Sequence, residues 1–170
     1  VLDKRTGDEK IFKMPEKCPV CGSDVERLEN ESAVRCTGIE CPARLFRSIV
    51  HFASREAMDI EGLGPANVEL LLNEGLINNI ADIYYLKVTD IEKLDRMGKK
   101  SAENLIKAIE KSKSNSLDKL IFGLGIRHIG KKAGKLLAAK FSDIDEIASA
   151  DATQFSDIND IGQKMGESIV

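Results

Sequence analysis

Beyond residue 55 the apolar residues recur at helical spacing, and polar breaks containing glycine interrupt them at even intervals. Four stretches share one form: "DIEGLGPANVELLL" from Asp59, "LDRMGKKSAENLI" from Leu94, "GIRHIGKKAGKLL" from Gly125 and "INDIGQKMGESI" from Ile158. Aligned on Gly64, Gly98, Gly130 and Gly162, they step by 34, 32 and 32 residues. So regular a period predicts stacked supersecondary units. The step length suits a tetratricopeptide array, but the tryptophan, tyrosine and proline marks of that repeat are missing. Nearer the N-terminus the pattern changes. "DVERLENESAVRC" alternates enough to predict two short strands around a turn at Glu29-Asn30-Glu31.

Each repeat predicts a helix, a tight turn in which an apolar residue precedes glycine, and a second amphipathic helix: a helix-hairpin-helix. Glycine at the turn permits a positive φ and removes the β-carbon that would obstruct an approaching ligand. Amides at the start of the second helix then point outward, with the positive end of the helix dipole behind them. Such an end is a phosphate site. Pro65 at the first position of a second helix supports the assigned start. Lys99 and Lys100 follow Gly98, Lys131 and Lys132 follow Gly130, and Gln163 and Lys164 follow Gly162. Phosphate contacts carry no base information, so the expected binding is sequence-independent. The first hairpin, Gly62-Leu63-Gly64, has no adjacent base and leaves two readings open, structural or binding through amides alone. Arg127 and His128 belong to the third hairpin; for His128 a phosphate contact and a local hydrogen bond are both open.

Charge sharpens this picture. The net charge of −3 argues against a generic DNA-coating protein, yet the charges are sorted along the chain. Lys119, Arg127, Lys131, Lys132, Lys135 and Lys140 fall in an acid-free stretch, which is followed from Ser142 to Ile161 by acids without a base. Basic stations alternate with acidic spacers. Tryptophan is absent and aromatics make up 5%, which predicts an aliphatic core. No apolar run approaches the roughly 20 residues that span a bilayer. "VLDKRTGDEKIF" reads as the tail of a module cut away upstream, and "GESIV" stops inside a periodic helix, so an excised piece is expected.

All four cysteines, Cys18, Cys21, Cys36 and Cys41, lie in "CPVCGSDVERLENESAVRCTGIECP". Two close pairs separated by one hairpin's length suit a tetrahedral structural zinc site. Pro19, Gly22 and Gly38 suit the tight knuckles. Two disulfides would need a secretory context, and a redox pair would need an adjoining βαβ pattern; neither signal is present. His51, in an apolar helical stretch, is expected to pack or cap rather than to ligate.

The order of these parts resembles the C-terminal half of the bacterial NAD⁺-dependent DNA ligases, on "CPVCGS", "CPARLFRSIVHFASREAMDIEGLG", "GKKSAENLIKAIEKSK" and "GLGIRHIG". The resemblance implies a mainly α fold with four tandem helix-hairpin-helix units behind a small four-cysteine zinc finger with short strands. It implies that 1–15 end a preceding oligonucleotide-binding fold and linker, 16–47 form the finger, and 48–170 form the hairpin domain, truncated at its C-terminus. Hairpins are expected near 62–64, 96–98, 128–130 and 160–162. The implied zinc ligands are Cys18, Cys21, Cys36 and Cys41, holding one structural Zn²⁺. The implied DNA contacts are Gly62, Gly64, Gly98, Lys99, Lys100, Arg127, His128, Gly130, Lys131, Lys132, Gly162 and Lys164. The implied partner is nicked double-stranded DNA, bound by a monomer in the cytoplasm at the nucleoid during replication and repair. The chain has no Asp-Gly dipeptide and so lacks the family's Lys-x-Asp-Gly motif. No catalytic residue is expected in it, and NAD⁺ and Mg²⁺ would serve only the parent enzyme. Gln163 and Met165 depart from a uniformly basic turn. Two rivals remain: a zinc-stapled helical protein-interaction domain, and the DNA-binding module of another repair or recombination protein. In a recombination mediator, one hairpin would precede the finger.

Overall fold

The computed structural model of the protein describes residues 6–7, 10, 12–27 and 32–170. The expected turn at Glu29-Asn30-Glu31 lies outside the described residues, as does much of the expected 1–15 tail. The chain divides into two compact units, 1–44 and 45–170.

In the first unit, β1 (Val25–Glu26) pairs antiparallel with β2 (Arg35–Cys36), Val25 opposite Cys36. An isolated bridge joins Lys17 to Asp24, and the same two side chains form an exposed ion pair at 2.6 Å. Helix α1 (Pro42–Ala53) starts directly after Cys41 with proline at its first position, where no N–H is needed.

The second unit is helical among the described residues and contains two apolar cores. The first gathers α2 (Pro65–Asn73), a 3₁₀ turn (Ala81–Tyr85), α3 (Val88–Ile91) and α4 (Lys99–Ser112) around Phe52, Leu71, Ile83, Ile91, Leu105 and Ile109. The second gathers α5 (Leu117–Gly123), α6 (Lys131–Lys140), α7 (Ile144–Ser149), α8 (Ala152–Ser156) and α9 (Gln163–Ile169) around Ile121, Leu137, Phe141, Ile147, Phe155 and Ile161. Each core thus serves two repeats. One hairpin alone cannot enclose its apolar face, so repeats fold in pairs.

The end of α1 and the loop after it join the two cores. His51 Nε2 lies 2.8 Å from the Phe122 carbonyl oxygen, and the His51 and Phe122 rings meet edge-on at 4.8 Å. A carbonyl can only accept, so the ring carries its proton on Nε2. Asn115 Nδ2 donates to the Met58 carbonyl at 2.7 Å. A β-carbon on Gly123 would lie 3.2 Å from the Phe52 ring and 3.4 Å from Ala57, so α5 seats closely there. His51 is a packed, hydrogen-bonded histidine.

Candidate nucleic-acid interface and metal centre

The four repeats build the same turn. The amides of Leu63, Met97, Ile129 and Ile161 donate to the carbonyls of Ile60, Leu94, Ile126 and Ile158, at 3.1, 3.1, 3.0 and 2.9 Å. Those four donors are buried and anchor each turn in its core. The residue before each of them has positive φ: Gly62 at 88°, Arg96 at 63°, His128 at 64° and Asp160 at 68°. A three-residue hydrogen-bonded step with positive φ only at its third residue is a type II turn.

This corrects one expectation. The aligned glycines do not carry the positive φ. Gly64, Gly98, Gly130 and Gly162 are extended N-cap residues at φ of −80°, −82°, −92° and −81°. Positive φ belongs two residues earlier, because reversing the chain needs it at the third turn position, whereas a helix N-cap is extended. In three of four repeats an L-residue with a side chain bears that strain, which concentrates at functional places.

What the aligned glycines do have is open space. A β-carbon at any of the four would meet nothing within 4 Å. None of the helices behind them receives a side-chain cap. The amides of Lys99, Lys100 and Ser101, and of Lys131, Lys132 and Ala133, have no hydrogen-bond acceptor among the described residues. Helices α7 and α8 differ. Asp143 caps the first, and Asp151 caps the second in a full capping box with Gln154. Helices α3 and α5 also lack a side-chain cap, so what sets the repeat helices apart is the glycine facing open space in front of their free donors.

Around these amides, Lys99, Lys100, Lys131, Lys132 and Lys164 are exposed, as are Arg127 and His128. Gly62, at the first turn, has its carbonyl held by Asn67 Nδ2 at 2.6 Å. Pro65 removes one donor from that repeat, so α2 offers fewer amides than α4 or α6. Two residues at the turns escaped the sequence reading. Arg96 shares the register of Gly62 and His128, and Asp160 holds that position in the fourth turn. Shifting the alignment two residues before each glycine exposes both.

In the first unit, the four cysteine Sγ atoms lie within 4.8 Å of one another. Cys18 and Cys41 are buried with their sulfurs 4.0 Å apart, and Cys21 and Cys36 are partly buried at 3.4 Å. A tetrahedron with Zn–S bonds near 2.3 Å has edges of about 3.8 Å, so the four sulfurs fit zinc. Hydrogen bonds from the Ser23 hydroxyl and then the Ser23 amide pull the Cys21 thiol down to about 6. The Cys21 amide, followed by that of Val20, lowers Cys18. Burial pushes Cys36 up to about 12 against the opposing Gly38 N–H. That amide donates to Cys36 Sγ at 3.3 Å, a bond that favours thiolate. Gly38 is required by a close approach: its β-carbon would fall 2.6 Å from Ser23 Oγ and 3.2 Å from Cys21 Sγ. Arg44 braces the second knuckle by donating to the Gly38 carbonyl at 2.9 Å.

Residues 17–43 match the NAD-dependent DNA ligase C4 zinc finger domain. That finger is of the NAD-dependent DNA ligase type, and the rest of the chain is similar to the segment that accompanies it in DNA ligases. Residues 54–111 match a SAM-like helix-hairpin-helix tandem and 119–170 a helix-hairpin-helix motif, so the matches divide where the two cores divide. A DNA ligase of Acetivibrio thermocellus is 56% identical over 171 residues, covering 99% of this chain and 26% of that protein. The DNA ligase of Carboxydothermus hydrogenoformans is 57% identical over 169 residues, 99% of this chain and 26% of that protein. For the DNA ligase of Caldicellulosiruptor bescii the figures are 54% over 170 residues, 100% and 25%. The chain therefore spans about a quarter of the length of these ligases. Among the described residues no helix is long and apolar enough to cross a membrane.

Proposed function

We propose that this chain is the portion of a DNA ligase that grips duplex DNA through its hairpin tips, with its first unit held together by one structural zinc ion. One observation carries the reading: four helix starts in register, exposed, without side-chain caps and fronted by glycines facing open space. A phosphate oxygen arriving at such a start receives converging N–H donors backed by the helix dipole. A side chain in place of glycine would obstruct that approach. Lys99, Lys100, Lys131, Lys132 and Lys164 then add ammonium groups to the same phosphates, and Arg127, His128 and Gly62 lie at the same tips. We add Arg96 to this set.

Contacts of this kind hold the sugar-phosphate backbone and leave base edges unread, so binding is independent of sequence. Nicked duplex is the favoured substrate, held by the monomeric segment while other parts of the parent ligase seal it in replication and repair, in the cytoplasm at the nucleoid. The segment itself does no chemistry, and NAD⁺ and Mg²⁺ act elsewhere in the parent. Cys18, Cys21, Cys36 and Cys41 supply four thiolates, leaving the zinc no open position and hence a structural role.

The test is a titration of labelled nicked duplex at several salt concentrations. A log–log slope of a few phosphates is expected. In a Lys99/Lys100/Lys131/Lys132 quadruple alanine variant the slope should fall by about 0.9 for each phosphate left without its ammonium group. Absence of binding at low salt would instead favour the protein-interaction reading. An unchanged slope in the folded variant would remove the lysines from the interface.

A further inference from the structure

The lysines behind the second and third glycines have different surroundings. Lys99 and Lys100 have no carboxylate partner among the described residues. Both third-hairpin lysines have one. Lys131 Nζ lies 2.5 Å from Glu56 Oε1 and 5.8 Å from the centre of the Phe122 ring. Lys132 Nζ lies 2.7 Å from Asp160 Oδ2. Glu56 comes from the loop after α1, and Asp160 is the positive-φ residue of the fourth turn, where the second turn carries Arg96. A carboxylate thus stands at the tip of one hairpin and neutralises the lysine of another. The Asp160 carboxyl is held below the usual range, first by its hydrogen bond from Lys132 and then by that ammonium's charge.

We infer that the third hairpin is stored in a self-neutralised form, with Glu56 and Asp160 acting as determinants that weaken its affinity for DNA. This rests on the phosphate-binding reading proposed above. Exposed ion pairs are weak, and side-chain exposure is 78% and 63% for Lys132 and Asp160. A phosphate backed by the α6 amides can therefore displace the carboxylate. Once displaced, the carboxylate still lies beside the incoming phosphate and repels it. The lysines of the second hairpin carry no such opposition; only Arg96 is paired there, with its neighbour Asp95 at 3.8 Å, so this hairpin supplies the steadier grip. The third supplies a discounted one, which suits a segment that must release its duplex.

The experiment uses the whole 170-residue chain and labelled nicked duplex in about 50 mM salt, where electrostatic terms are large. Asp160→Asn is expected to tighten binding about threefold to tenfold and to steepen the salt slope by about one phosphate. Glu56→Gln is expected to act in the same direction. Asp157→Asn is the control. It makes the same change in net charge on an exposed acid of the same segment that has no ion-pair partner among the described residues. The Asp160→Asn gain must vanish in a Lys132→Ala background. Asp160→Ala carries the same expectation should the asparagine variant fold poorly. If the unaltered chain binds and Asp160→Asn matches Asp157→Asn, or the gain survives without Lys132, self-neutralisation is overturned while the DNA reading stands. If the unaltered chain does not bind, both fall.

Discussion

A β-carbon on Gly134 would lie 3.0 Å from the Asp118 carbonyl oxygen, so α6 can cross α5 at that distance only without a side chain. Gly130 begins the same helix four residues earlier, and a β-carbon there would meet nothing within 4 Å. One glycine serves packing inside the chain; the other has no internal reason to be glycine. The fourth repeat echoes the first of these, since a β-carbon on Gly166 would approach the Ala152 carbonyl to 3.2 Å.

Gly134→Ala should accordingly destabilise the second unit by about 1–3 kcal/mol, the usual range for overpacking. A lowered midpoint in thermal or denaturant unfolding would confirm it. An unchanged midpoint would mean that α5 and α6 separate more easily than their geometry implies.

Gly98→Ala and Gly130→Ala should behave differently. Their φ angles suit any residue and their surroundings are open, so the gain from a stiffer unfolded chain and alanine's poorer fit to an N-cap should leave stability within about 1 kcal/mol of the parent. DNA affinity should nonetheless fall about tenfold, the effect of removing one charge-assisted hydrogen bond. Paired melting and binding curves on the same preparations check this. Equal loss of stability and binding would point to a purely structural glycine.

Zinc should be present at one ion per chain by elemental analysis. Stripping it with a chelator should abolish hydrogen-exchange protection around Cys18–Val25 while amides in α4 and α6 stay protected, because a structural site contributes its folding energy to the unit it closes. Gly38→Ala, forcing a β-carbon towards Ser23 and Cys21, should lose zinc to the chelator at a lower concentration.

Asp151 supplies a pH signature. The Thr153 hydroxyl, then the Gln154 amide, hold its carboxyl below the usual range. A lowered carboxyl stabilises the fold fully above the unfolded value of 3.8 and loses that contribution as pH falls through the folded value. Melting temperatures of the parent chain and Asp151→Ala should therefore differ by a constant gap near neutrality. The gap should close as pH falls from the unfolded value of 3.8 through the lower folded value. A gap constant to the lowest pH would mean that the charge of the cap is irrelevant.

Much of this protein was legible because the informative features are local. The spacing of Cys18, Cys21, Cys36 and Cys41 constrains where four sulfurs can meet, and the glycine register fixes where turns fall. The φ assignment was misplaced because a glycine is the visible mark of a turn, while the strained positions at Arg96 and His128 carry residues that propensity does not associate with positive φ. Arg96 was missed for the same reason.

From the chain alone come the four-cysteine cluster, the four hairpins and their exposed helix starts, since each depends on residues close together in sequence. Tertiary packing alone decided that the hairpins fold in two pairs, that His51 joins those pairs through Phe122, and that Glu56 and Asp160 face Lys131 and Lys132. Those partners are distant in sequence, and only the burial of apolar faces, which no short window contains, brings their charges together.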